Sequence, residues 1–274
     1  MRIPAVRLLD TICCRFSRFH KMPVVIVTGS SSGIGRGTAA HFAKKGWRVV
    51  LTGRNEAKLK EAVQECIKAG GKAEDLAYVA GDINSAAVAK QLVDTAVRKF
   101  GRLDSLINNH GVVNQNLVEN APLEELDFVF NTNARSVVQL TKLAIPHLKA
   151  SKGTIVNVSS IASLVSQVTC CYYSMSKCAL DCFTKILALE LAPHGVRVNS
   201  VNPAFVETGL IDTLGLSKEQ RAEIIAGAKN GHALGRTGKV SEVAKAIFFL
   251  AGPHSSFTTG DILKVDGGAV LLRP

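Results

Sequence analysis

The sequence has no run of about 18 or more apolar residues, so it offers no candidate for a membrane-spanning helix. It has no compositionally simple stretch, internal repeat or linker-like segment, which excludes a disordered chain and leaves one folding unit. No C-x-x-C pair occurs among its seven cysteines, and its seven histidines do not stand at metal-ligand spacing with them, so no metal site is expected. The odd cysteine count and the lack of a secretory signal point to reduced thiols in an intracellular compartment. Cys178 and Cys182, four apart on a helix, are expected to pack in the core rather than react. No basic-aromatic module accompanies the formal net charge of +11, so nucleic acid is not an expected partner.

What is present is a chain of 274 residues, 47% of them hydrophobic, enough to bury a sizeable core. Part of the charge has a local source: residues 1–22 carry Arg2, Arg7, Arg15, Arg18 and Lys21 against Asp10 alone. On a helix, Ile3, Val6, Leu9, Cys13 and Phe16 fall on one side and Arg7, Arg15, Arg18 and Lys21 gather opposite, the pattern of a mitochondrial transit peptide. Pro4 and the poverty in Ser weigh against it. The alternative is an inert extension with the enzyme starting at Met22, and a cytoplasmic location is expected ahead of a mitochondrial one.

From residue 24 short β-branched runs alternate with longer helical ones. Val24–Thr28, Arg48–Thr52, Leu76–Ala80, Leu103–Asn108, Thr154–Ser159, Arg197–Val201 and Ile262–Val265 read as strands, with helices between them. Strands without in/out alternation, separated by helices, require a parallel sheet covered on both faces. The right-handed crossover rule makes it doubly wound, an α/β Rossmann-type fold in a single domain over residues 23–274.

Thr28-Gly29-Ser30-Ser31-Ser32-Gly33-Ile34-Gly35 lies between the first strand and the first helix, where free backbone N–H groups and the helix dipole favour a pyrophosphate. The spacing G-x-x-x-G-x-G is not the common dinucleotide fingerprint, and no Lys-Ser/Thr pair follows to make a Walker loop. An NAD-binding unit usually ends its second strand on a carboxylate that binds the ribose 2′-OH. Here the strand runs into Gly53-Arg54 instead. A guanidinium there binds a 2′-phosphate that a carboxylate would repel, so NADP(H) is expected over NAD(H).

Ser159-Ser160 is followed thirteen residues later by Tyr173-Ser-Met-Ser-Lys177. If Tyr173 opens a helix, Lys177 shares its face one turn on. Tyr has an ordinary pKa near 10, and an ammonium beside it would lower that value and make it a usable acid or base. Ser160, at a strand end facing that helix, can donate to a carbonyl oxygen where negative charge develops.

Together, Thr28–Gly35, Asn108-Asn109-His110-Gly111, Asn133, Ser160, Tyr173 with Lys177, and Asn202-Pro203 followed by Thr208 resemble the short-chain dehydrogenase/reductases, in their compact single-domain branch. The resemblance covers about residues 23–268. It implies an oxidoreductase that moves hydride between NADP(H) and a small carbonyl or alcohol. It implies Tyr173 as proton donor and acceptor, and Lys177 as the holder of the nicotinamide ribose. Ser160 would polarise the carbonyl, and Asn133 would hold a relaying water. Gly29, Ser31, Ser32, Gly33, Ile34, Gly35, Arg54, Asp82, Ile83, Asn109, Pro203, Val206 and Thr208 would line the cofactor, with Asp82 facing the adenine. Assembly into a homo-oligomer, a dimer or tetramer, is also implied.

Two positions depart from the pattern: His110 replaces an Ala beside the cofactor, and Ala204 follows Pro203 where Gly is usual. The segment of about residues 205–235 would cover the substrate. With Leu210, Ile211, Leu214, Leu216, Ile224 and Ile225 it reads as two short amphipathic helices, which either face an apolar substrate or pack the cover against the sheet. The competing reading is a non-catalytic dinucleotide sensor or scaffold, against which all four catalytic positions are filled. A sugar-nucleotide epimerase or dehydratase is disfavoured by the short C-terminal region and the glycine spacing.

Overall fold

The structure is a computed structural model describing residues 22–208 and 217–272. Seven parallel strands, β1 (Val24–Val27), β2 (Arg48–Gly53), β3 (Leu76–Ala80), β4 (Ser105–Asn108), β5 (Thr154–Val158), β6 (Arg197–Pro203) and β7 (Ile262–Val265), form one sheet in the order β3-β2-β1-β4-β5-β6-β7. The order reverses direction between β1 and β4, which opens a crevice at the carboxyl ends of those strands. Both faces carry helices: α1 (Gly33–Lys44), α2 (Glu56–Lys68), α3 (Ala86–Phe100), α4 (Leu123–Phe130), α5 (Ser136–Ser151), α6 (Cys171–Leu191), α7 (Lys218–Asn230) and α8 (Val240–Ala251).

The missing alternation in β1 has a direct cause. Val24 and Ile26 enter one core cluster with Leu92, Leu140 and Leu187, while Val25 and Val27 enter the other with Phe42, Leu59 and Ile247. Every position of the strand is therefore buried. The α2 helix behaves as its pattern requires: Asn55 caps it by accepting from Lys58 N at 3.0 Å, and Leu59, Ala62 and Cys66 are buried. No helix of the described residues is long and apolar enough to cross a membrane.

One expectation needs correcting, and another falls partly outside the described residues. Cys178 and Cys182 are exposed, because α6 buries Ser176, Lys177, Leu180, Asp181 and Thr184 on its other side. The covering segment contributes one described helix, α7, with a Ser217/Gln220 capping box; none of its described side chains is buried and Ile225 is half-buried. Residues 209–216, with Leu210, Ile211, Leu214 and Leu216, lie outside the described residues, as do residues 1–21.

Candidate active site

The glycine-rich turn hangs between two strand ends. Thr28 Oγ1 accepts from Asn109 N at 2.8 Å, joining the end of β1 to that of β4, and Ser30 Oγ accepts from Thr52 N at 2.9 Å, joining the turn to β2. Gly29 has φ +61°, and a Cβ there would stand 2.9 Å from His110 Cα; a Cβ at Gly35 would overlap the Gly29 carbonyl oxygen and Asn109 Nδ2. Asn109 Nδ2 donates to Thr28 O at 2.9 Å, so its side chain shapes the turn.

Ser32 precedes α1 in an extended conformation with no side-chain cap, and the first turn of α1 holds no acidic side chain. The helix thus keeps its free N–H groups and its positive end for an anion. Thr208 packs over the turn, within 3.2 Å of where a Gly33 Cβ would be. Arg54 follows β2, exposed, with no ion pair or hydrogen bond among the described residues. Asp82 is exposed, its Oδ1 accepting from Asn84 N at 3.0 Å, while the Ile83 side chain is buried in the core and leaves only its backbone for a ligand. Pro203 ends β6, and Val206 forms a buried bridge with Gly238. An uncapped helix start and a cradle that a Cβ would fill together fit a nicotinamide dinucleotide.

Tyr173 and Lys177 lie in the first two turns of α6, and Ser160 follows β5. Lys177 is 3% exposed, so the solvated surface lysine that a chance Y-x-x-x-K would leave is excluded. Its Nζ donates to Val158 O at 2.8 Å and stands 5.6 Å from the Tyr173 ring centre. Burial lowers its pKa to about 8, an effect that Asp181 opposes. Burial raises the Tyr173 pKa, against the pull of the Ser160 hydroxyl. This reverses the expected direction: the Lys177 ammonium lies toward the ring and does not offset the desolvation of the phenolate. Ser160 Oγ accepts from Ala162 N at 3.1 Å, which leaves its own hydrogen to donate.

Asn133 sits in a π turn, Asn131–Arg135, between α4 and α5. Its Oδ1 accepts from Val112 N at 2.8 Å, and Nδ2 donates to Val112 O at 2.8 Å and Ser176 Oγ at 3.0 Å. All polar atoms of the carboxamide are engaged. It staples the loop after β4 to α6, and a Cβ on Gly111 would meet both Asn133 Oδ1 at 3.3 Å and Lys177 Nζ at 3.5 Å.

His110 is buried, with Nδ1 2.7 Å from Thr28 Oγ1 and Nε2 2.7 Å from Ser136 Oγ. Ser136 Oγ donates to Thr132 O at 2.7 Å and Thr28 Oγ1 donates to Ile107 O at 3.1 Å, so each ring nitrogen faces a hydroxyl oxygen whose hydrogen has another acceptor. Burial first, then Lys177, lower its pKa to about 4, and the ring is neutral. His110 therefore ties the glycine-rich turn to α5. Ala204 has no positive φ, so Gly is not required there.

Two site residues carry no sequence signal. Asn114, 8% exposed, accepts from Tyr173 N at 3.1 Å and satisfies a first-turn N–H of α6 from a distant loop. Asp181, also buried, accepts from Ser163, Ser200 and Asn202.

A family model described as enoyl-(acyl carrier protein) reductase matches residues 29–270. A 3-oxoacyl-(acyl-carrier-protein) reductase of Thermotoga maritima is 35% identical, over 90% of this chain and 98% of its own. A cyclopentanol dehydrogenase of a Comamonas species is 39% identical over 89% and 96%. The structure of a Caenorhabditis elegans short-chain dehydrogenase/reductase of unknown function, solved with cofactor, superposes with a TM-score of 0.86 at 34% identity, over 91% of this chain and 95% of that one. The chain belongs to the short-chain dehydrogenase/reductase family, oxidoreductases that bind a nicotinamide dinucleotide and act on alcohol and carbonyl groups.

Proposed function

We propose that this chain is an NADP(H)-dependent oxidoreductase interconverting a ketone or aldehyde and an alcohol, with Tyr173 as general acid and base. The observation that carries the reading is the meeting of Ser160, Tyr173 and a buried Lys177 where β5 faces α6. The dinucleotide, when bound, gives or takes the hydride; the rest falls to the chain. In reduction the Tyr173 hydroxyl donates its proton to the substrate oxygen as negative charge builds there, and in oxidation it takes the proton back. Burial keeps the phenol protonated, which favours its work as an acid. Ser160 donates a second hydrogen bond to the same oxygen. Lys177, charged below about pH 8, holds the ribose hydroxyls. Asn133, whose side chain fastens the loop after β4 to α6, is kept as the proposed holder of a relaying water.

NADP(H) over NAD(H) is supported by the unpaired Arg54 and by the lack of a carboxylate at the end of β2. An apolar substrate, of a fatty-acyl, steroid, retinoid or xenobiotic kind, is supported by exposed Leu117, Val118, Leu164 and Val168 on the two loops beside Tyr173. Exposed Met175, Ile186 and Leu189 on α6 suit a homo-oligomer. We keep the cytoplasm as the proposed location, with residues 1–22 an extension before the domain.

Fluorescence titration with NADPH and NADH, followed by turnover on a carbonyl panel, tests this function. Tighter binding of NADH would refute the role given to Arg54. Tight NADPH binding without turnover on any carbonyl would favour the sensor.

A further inference from the structure

Asp181 stands one turn beyond Lys177 on α6 and is 6% exposed. A carboxylate at such depth is costly unless hydrogen-bonded or paired. Here Oδ2 accepts from Ser163 Oγ at 2.5 Å and Asn202 Nδ2 at 2.8 Å, and Oδ1 lies 3.0 Å from Ser200 Oγ. The same partners reach the residue that faces Tyr173: Asn202 Nδ2 donates to Ser160 O at 3.0 Å, and Ser163, its one hydroxyl hydrogen committed to Asp181, donates to that oxygen through its backbone N–H at 3.1 Å. The short helical turn that begins at Ser160 is thereby fastened to α6 through one carboxylate.

We propose that Asp181 is a positioning residue with two targets: it holds Ser160 through Ser163 and Asn202, and it is the counter-ion of the buried Lys177. The proposal rests on the reading that Ser160, Tyr173 and Lys177 perform the chemistry. Of the titratable groups around Lys177, Tyr173 and Asp181 belong to α6 and His110 to the loop after β4. The Tyr173 phenol is protonated and the His110 ring is neutral. Asp82, after β3, acts on His110; Asp181 is the anion that acts on Lys177 among the described residues. The end of β5 offers only the Val158 carbonyl, and the π turn offers the neutral Asn133. Removing the carboxylate charge therefore leaves the ammonium with hydrogen-bond acceptors and no opposite charge, while the Ser160 turn loses its anchor.

The test compares wild type with Asp181→Asn and Ser163→Ala. Lys177 is probed by competitive acetylation against pH, read by mass spectrometry, and turnover is measured alongside. In Asp181→Asn the ammonium gives up its proton at lower pH, so acetylation of Lys177 at pH 7 should be about fivefold faster. Turnover should fall about 10- to 100-fold with the KM for cofactor little changed. Ser163→Ala should lower turnover up to about tenfold and leave the acetylation profile of Lys177 as in wild type. An Asp181→Asn profile identical to wild type overturns the counter-ion role, and undiminished turnover in both variants overturns the positioning role. If Asp181→Asn does not fold, Ser163→Ala decides: reduced turnover in a fully folded variant supports the proposal, and wild-type turnover overturns it. A wild type that turns over no carbonyl would instead sink the catalytic reading, and the acetylation profile would still decide the part played by Asp181.

Discussion

The Lys177 ammonium lies 5.6 Å from the centre of the Tyr173 ring and donates at 2.8 Å to the Val158 carbonyl. One buried cation is thus shared between the helix that carries Tyr173 and the strand that presents Ser160. Its pKa of about 8 has a consequence for pH dependence. Below that value the amine is charged and can hold ribose hydroxyls; above it the charge is gone. NADPH affinity is predicted to be flat between pH 6 and pH 7 and to fall as pH rises through about 8. Fluorescence titrations across that range check this, and affinity unchanged to pH 10 would contradict it.

Ser160 should be separable from the cofactor site. Ser160→Ala removes a donor aimed at developing negative charge, so kcat is predicted to fall about 10²- to 10³-fold. The KM for NADPH should stay within about twofold, because the partner proposed for Ser160 is the substrate oxygen. Steady-state kinetics in each reactant measures the split.

Arg54 is exposed and carries no partner among the described residues that a substitution would disturb. Arg54→Ser is predicted to weaken NADPH binding about 10- to 100-fold, the loss of charge-assisted hydrogen bonds worth about 1.5–3 kcal/mol. NADH binding should hardly change. Equal losses for both cofactors would mean that the 2′-phosphate is bound elsewhere.

His110 links pH to stability. Its folded pKa is pushed down to about 4, below the ordinary 6.5. Between those values the unfolded chain binds a proton that the native state excludes. Stability is therefore fully present above pH 6.5 and is lost as pH falls toward 4, by about 3 kcal/mol at most. Denaturant melts of wild type and His110→Ala at pH 7 and pH 4.5 test this. The slope should shrink in the variant, and an unchanged slope would assign it to other groups.

Gly35 tests the cradle. A Cβ there meets the Gly29 backbone, which cannot swing aside, and the Asn109 side-chain amide, which is held by its bond to Thr28 O. Gly35→Ala is predicted to destabilise the protein by about 1–3 kcal/mol and to weaken both cofactors alike. Thermal melts and titrations distinguish this from the Arg54 effect, which touches one cofactor.

The strands and the parallel sheet were legible because burial on both faces writes itself into composition. Val24–Val27 is apolar throughout since alternate residues enter two different cores. Strand ends were less legible where side chains take over: β1 stops at Val27 because Thr28 turns its hydroxyl to β4. The faces of α6 were misjudged for Cys178 and Cys182 because apolar residues run all round that helix, and only its packing picks the buried side. The glycine turn and the Ser160, Tyr173 and Lys177 spacing are local features that a linear reading can find. The contact of Asn114 with Tyr173 spans 59 residues and that of Asp181 with Ser163 spans 18, and neither leaves a local pattern. The direction of the Tyr173 shift was missed for a related reason, since burial is a property of the folded surroundings.

The central claim is that Tyr173 transfers the proton between substrate and enzyme. The most direct test is NADPH oxidation by Tyr173→Phe with a carbonyl that wild type reduces, measured alongside NADPH binding. The phenyl ring keeps the packing and removes only the hydroxyl. The account predicts NADPH affinity within about twofold of wild type and turnover reduced by about 10²- to 10⁴-fold. Turnover surviving at the wild-type rate would contradict it.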